Sequence, residues 1–235
     1  MACRCCVMLM PVLLLFAGCA SERFGSELSV SPSPQPFREQ VTTTVRVPQD
    51  APFRIALPRS SRAAGLDGQA VADAQAEPSG QAQASAQVTA SGTAEGMFQL
   101  GHSVSNQTDR QTDLDFRVSF TYEFQTQVEP DIGRPDATVG LKLYARDQRG
   151  RMLREMTLVG HTTESGPTQR QAREDLRFGV SISPGSTVHV FLAGQTRVEI
   201  LSGGTAAAQL KLSDLRMEIT SHPAPAVGAT SHESR

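Results

Sequence analysis

Asp115-Phe116-Arg117-Val118-Ser119-Phe120-Thr121-Tyr122-Glu123-Phe124 is the stretch that decides the fold of this chain. Phe116, Val118, Phe120, Tyr122 and Phe124 alternate with residues that are all polar or small. Successive side chains of a strand point to opposite faces, so this spacing predicts a strand with one buried and one wet face. Working outward, the period of two recurs at Phe98, Leu100, His102 and Val104, and at Val139, Leu141 and Leu143. It returns at Leu176, Phe178, Val180 and Ile182, at Val188, Val190 and Leu192, and at Val198 and Ile200. The last segment keeps Ala206, Ala208, Leu210 and Leu212 in phase, then steps to Leu215, Met217 and Ile219. The odd step at Ser213-Asp214 predicts a β-bulge or a strand that changes sheets.

Turn chemistry separates these runs. Asp147-Gln148-Arg149-Gly150 offers a glycine for a position of positive φ, and Ser183-Pro184-Gly185-Ser186 fits a type II turn. Gly203-Gly204 joins the last pair. Turns this short predict antiparallel neighbours, and no stretch carries a helical apolar period. About eight strands at hairpin spacing predict an all-β fold over Ala84–Thr220, an antiparallel two-sheet β-sandwich of jelly-roll or immunoglobulin-like topology.

The remainder of the chain reads differently. From Ser60 to Gln83 runs an Ala/Gln/Gly/Ser tract with almost no large apolar residue, and Ser31-Pro32-Ser33-Pro34-Gln35-Pro36 precedes it. Such segments bury too little apolar surface to offset chain entropy, so residues 19–83 are expected to be a mostly disordered tether. Within it, Val41, Thr43, Val45 and Val47 alternate, as do Phe53, Ile55 and Leu57. Residues 40–58 are therefore either a short β-arm docked on the domain or extended linker. Residues 221–235 read as a disordered tail.

At the N-terminus, one charge (Arg4) precedes an apolar run from Val7 to Ala17, followed by Gly18-Cys19 and polar Ser21-Glu22-Arg23. This is the layout of an export signal. The run is shorter than the roughly 20 residues that span a bilayer, and Pro11 interrupts it. Phe16-Ala17-Gly18-Cys19 resembles the lipobox of bacterial lipoproteins, with Phe16 where Leu is commonest. The resemblance implies a signal peptide over residues 1–18 and fatty acylation of Cys19. The rival reading is a plain secretory signal cut after Ala20. Of the four cysteines, Cys3, Cys5 and Cys6 lie in the segment that would be removed. Acylation would block the one left, a lone thiol in an oxidising compartment. Two or more acyl chains anchor stably where one does not. The residues after Cys19 include no early Asp, so an outer membrane is expected over an inner one if the host has two.

Composition narrows the functional classes. Loss of residues 1–18 removes Arg4 and no acid, leaving 21 basic against 24 acidic residues, a net charge of −3. That balance gives no pull toward nucleic acid. The densest like-charge cluster is Arg146, Arg149, Arg151 and Arg154 on one hairpin, a candidate contact for an anionic surface or partner; its bland alternative is a solvated turn balanced by Asp147 and Glu155. His102 shares the apolar phase and is expected to be a core histidine, whereas His189 is out of phase. His161 lies at a strand end, and His222 and His232 fall in the tail. No histidine pair has ligand spacing and no Cys is free for zinc. Asp131 and Asp136 offer oxygens to Ca²⁺, although their spacing matches no dedicated loop. Tyr122 is in phase with the core, so only Tyr144 and Phe191 are candidates for a sugar-binding platform. No Gly-x-Ser-x-Gly elbow occurs.

The sequence thus predicts a lipid-anchored protein of the bacterial envelope whose β-sandwich binds or builds without catalysis and without a cofactor. The alternatives are a carbohydrate-binding module at the cell surface and a hydrolase using an unmarked carboxylate pair. The expected partners are the membrane, through Cys19, and an envelope protein or a glycan.

Overall fold

The computed structural model describes residues 42–129, 135–164 and 166–223. Eleven strands follow in order: β1 (Thr43–Val47), β2 (Ile55–Ala64), β3 (Gln69–Glu77), β4 (Gln81–Thr89), β5 (Gly92–Ser105) and β6 (Thr112–Glu129). Then come β7 (Asp136–Asp147), β8 (Met152–Thr163), β9 (Gly166–Ile182), β10 (Thr187–Ile200) and β11 (Thr205–Pro223). Among the described residues there is no helix, hence none long and apolar enough to cross a membrane.

The strands form two antiparallel sheets. Sheet A has the order β3-β4-β11-β6-β9, with β1 also paired to β11; sheet B has the order β2-β5-β10-β7-β8. Setting aside β1 to β3, the orders β4-β11-β6-β9 and β5-β10-β7-β8 are those of a jelly roll, in which consecutive strands alternate between sheets except at one hairpin. That hairpin is β7–β8. The sequence left this topology open; the strand order resolves it.

Alternation places the core. Phe116, Val118, Phe120, Tyr122 and Phe124 are each at most 3% exposed, and Phe116 stacks on Phe178 with ring centroids 5.2 Å apart. Phe98, Leu100, Leu141, Leu143 and Leu192 meet them from sheet B. The odd step in the last strand is a bulge, not a change of sheet: the β11–β6 register shifts between Ser213 and Arg216, and Asp214 has φ 54°. It marks the place where β11 changes partners. β4 pairs with Thr205–Leu212 and β1 with Met217–Ser221 along the same flank.

Two expectations need correction. The first concerns the turns. Ser183–Ser186 does close a turn, with Ser186 N donating to Ser183 O at 3.1 Å and Gly185 at φ 67°. It joins strands of opposite sheets, however, as does the Gly203-Gly204 turn. A tight turn fixes the reversal of direction; the plane in which the chain reverses decides whether its flanking strands pair or pack.

The second concerns the tether. Residues 60–83 are not disordered, because β2 extends sheet B alongside β5 and β3 extends sheet A alongside β4. Ala70, Ala72 and Ala76 pack on the core, and Ala82, Ala84 and Ala86 are buried within it. Among the described residues the strands therefore begin at Thr43 rather than at Ala84. Within residues 42–58, β1 joins sheet A and the start of β2 joins sheet B, with Val47 and Phe53 buried. At the other end β11 runs on to Pro223. The signal segment, Cys19 and residues 20–41 lie outside the described residues.

A candidate binding groove on sheet B

Alternate residues of β7, β10, β5 and β2 face away from the core and form a groove of about 600 Å³ across the outer face of sheet B. The hydrogen-bonded register sets its rows. Gly101, Phe191 and Tyr144 align, then Leu57, Gln99, Ala193 and Lys142, then Arg59, Met97, Gln195 and Gly140. Ala193 and Gly140 make a low floor, since a Cβ placed on Gly140 would meet nothing within 4 Å. Leu57, 58% exposed, stands on the opposite side from the rings.

Tyr144 and Phe191 are register partners with ring centroids 5.5 Å apart and planes tilted by 35°. The Arg146 guanidinium lies over both, 4.8 Å from the Tyr144 centroid and 5.5 Å from that of Phe191. Cation–π contacts of this kind contribute about 0.5–1 kcal/mol when exposed and more when desolvated. Together they explain why Phe191, on an outer face, is only 5% exposed. Phe191 is a support rather than a platform; Tyr144, half-buried, is the ring with a free edge on the groove. Lys142 bonds Glu155 at 2.8 Å, and that hydrogen bond raises its pKa above the usual lysine value. Gln195 donates to Glu95.

The four arginines read as one cluster do not converge. The β7–β8 register shifts between Ala145 and Arg146, so Arg146 pairs with Met152 while Arg154 pairs with Ala145. Arg146 keeps the outward phase of Lys142 and Tyr144 along β7 and faces the groove. Arg154, in the phase of Ala145, reaches across to the Phe178 ring at 5.9 Å. Arg149 and Arg151 stay together at the turn, lining a shallow pocket of about 300 Å³. There Asp147 Oδ1 accepts both their backbone N–H groups and Oδ2 accepts Arg151 Nε at 3.1 Å.

The other candidates take structural positions. His102 is buried as its phase required; burial lowers its pKa, with the charge of Arg54 adding to the effect. His161 packs on the Phe124 ring at 5.3 Å and bonds Thr163. His189 bonds Ser103, and His222 meets Asp115 at 3.1 Å. Asp136 is held above the usual carboxylate range by burial and then by its register partner Glu199. Asp131 and His232 lie outside the described residues. Among the described residues, no three His, Cys, Asp or Glu side chains come together as a metal site. The alternation of Phe53, Ile55 and Leu57 places Leu57 in a candidate β-arm, but neither it nor Arg59, within the expected tether, reads from sequence as a site residue.

No family model matches the chain, and no curated protein matches it. Among solved structures, TmCBM61 in complex with β-1,4-galactotriose is 15% identical over 68% of this chain and 86% of that chain, with a TM-score of 0.23. The family 11 carbohydrate-binding module from Clostridium thermocellum, in complex with a β-1,3-1,4-mixed-linked tetrasaccharide, is 9% identical over 71% and 96%, with a TM-score of 0.24. The structure of infectious bursal disease virus Gx strain is 8% identical over 79% and 37%, with a TM-score of 0.23. At such scores the reading of the groove rests on its own residues.

Proposed function

We propose that the domain is a non-enzymatic binding module that holds an extended glycan in the groove of sheet B. The observation that carries this reading is the juxtaposition of Tyr144 and Arg146 on one wall with amides (Gln99, Gln195) and an open floor at Gly140 and Ala193. Sugars present apolar C–H faces and many hydroxyls, and a concave site with one ring edge and several fixed donors and acceptors suits both. Glycoside hydrolysis calls for two carboxylates flanking the scissile bond. No Asp or Glu lines this groove, and the two carboxylates beside it are engaged, Glu155 with Lys142 and Glu95 with Gln195, an arrangement suited to holding a sugar chain.

Retention of the protein on a panel of immobilised polysaccharides tests the reading. At least one polymer should be bound, with Tyr144→Ala weakening it about tenfold or more, as loss of a central aromatic contact does. Binding that Tyr144→Ala leaves intact would move the site elsewhere. The anchor belongs to the same proposal: acylated Cys19 holds the module on the bacterial envelope, at the outer membrane where there are two. Cys19→Ser should abolish fatty-acid labelling and membrane association together.

A further inference from the structure

We infer that the glycan held in this groove is acidic, bound through carboxylate or sulfate oxygens by Arg146 and Arg59. This rests on the glycan-binding reading and adds to it the charge class of the ligand. The groove is lined by three cations, Arg59, Lys142 and Arg146, and by no acid, in a chain where acids outnumber bases by 24 to 22. Lys142 is already matched by Glu155 at 2.8 Å. Arg59 and Arg146 have no ion pair among the described residues, so their charge is open to a ligand.

Arg146 is also pre-positioned. Two rings fix the plane of its guanidinium, and its Nε is buried without a hydrogen-bond partner. A planar, immobilised guanidinium suits the paired oxygens of an anion, because little side-chain freedom remains to be lost on binding.

The spacing of the two cations points to a polymer rather than a single sugar acid. Arg146 and Gly140 lie six residues apart on β7, about 20 Å at a strand rise near 3.3 Å. Gly140 shares a row with Arg59, three strands away, or about 14 Å at a strand spacing near 4.8 Å. The groove thus runs diagonally past several sugar positions with an unpaired arginine toward each end.

The test uses the full chain against two pairs of polymers that differ in charge: polygalacturonate and its fully methyl-esterified form, and dextran sulfate and dextran. An acidic polymer should bind about tenfold or more tightly than its neutral counterpart, and less tightly as salt is raised, because added ions screen exposed charges. Arg146→Gln should weaken it about tenfold. Arg59→Gln, on an exposed strand, should do the same and keeps the test valid if Arg146→Gln unfolds the domain. Arg149→Gln, outside the groove, should have no effect, which separates the site from non-specific attraction. Whichever acidic polymer binds identifies the oxyanion. Equal binding of neutral and acidic forms, untouched by Arg146→Gln and Arg59→Gln, overturns the charge assignment and leaves the glycan reading standing. Failure of every polymer in this set and in the neutral panel above overturns both.

Discussion

One sandwich holds two kinds of core. Around β6, β7 and β10 the sheets are kept apart by Phe116, Phe120, Tyr122, Leu141 and Leu192, large side chains suited to the roughly 10 Å that separates packed sheets. Along β4 and the start of β5 the buried residues are mostly small, Ala82, Ala84, Ala86 and Ala94, with Val88 the one larger side chain. There a Cβ built on Gly96 would lie 2.6 Å from the Asp73 carbonyl oxygen and 2.8 Å from that of Ser85. At Gly96 opposite backbones approach so closely that not even a methyl group fits without a shift. Burial is therefore set by sheet separation as much as by side-chain size. A tract can belong to the core with hardly a large apolar residue in it.

The strongest way to break this comparison is to remove the thin half. A chain beginning at Ala84 loses β1, β2 and β3 and should lose cooperative thermal unfolding altogether, whereas one beginning at residue 42 should keep it. If both melt alike, the alanine half is ornament on a self-sufficient core. Next in size, Phe120→Ala should cost about 3–5 kcal/mol in denaturant unfolding, the usual effect of emptying an aromatic site. Ala84→Leu should be destabilising in the opposite sense, by overfilling, at about 1–3 kcal/mol. A stabilising Ala84→Leu would mean that the sheets can part there.

The smallest effect concerns β5, which passes from the thin half at Ala94 and Gly96 into the thick half at Phe98 and carries the buried His102 beyond it. Burial and Arg54 lower the His102 pKa, so the folded state favours neutral imidazole. Its contribution is intact above the ordinary value near 6.5 and is lost as pH falls below that. Between pH 7 and pH 5 the melting temperature should fall more steeply in the native chain than in His102→Gln. Parallel slopes would mean that this position is not sealed from water.

The thick half was legible in the chain because Phe116 to Phe124 state their own phase, whatever lies opposite. The thin half was not. Alanine at Ala70, Ala72 and Ala76 alternates with Val71, Asp73 and Gln75 as a strand should, but its apolar contrast is too weak to register without knowing that Gly96 brings the other sheet close. The bulge at Ser213-Asp214 was readable, since a skipped phase shows in sequence. The β7–β8 bulge was not, because Arg146 and Arg154 carry no apolar phase to break. The rings of Tyr144 and Phe191 were found by being out of phase. Their meeting with Leu57 and Arg59 required the register of β2, which local pattern does not encode.

β1 lies antiparallel to β11, with Thr43 opposite Ser221 and Val47 opposite Met217. A pull on residue 42 directed out of that end of the sandwich runs along the strand axis. It loads the β1–β11 hydrogen bonds in shear, so that they share the force instead of opening one after another. The first strand is in this sense a mechanical fastener, firm to a pull along its own axis and weak to a sideways peel.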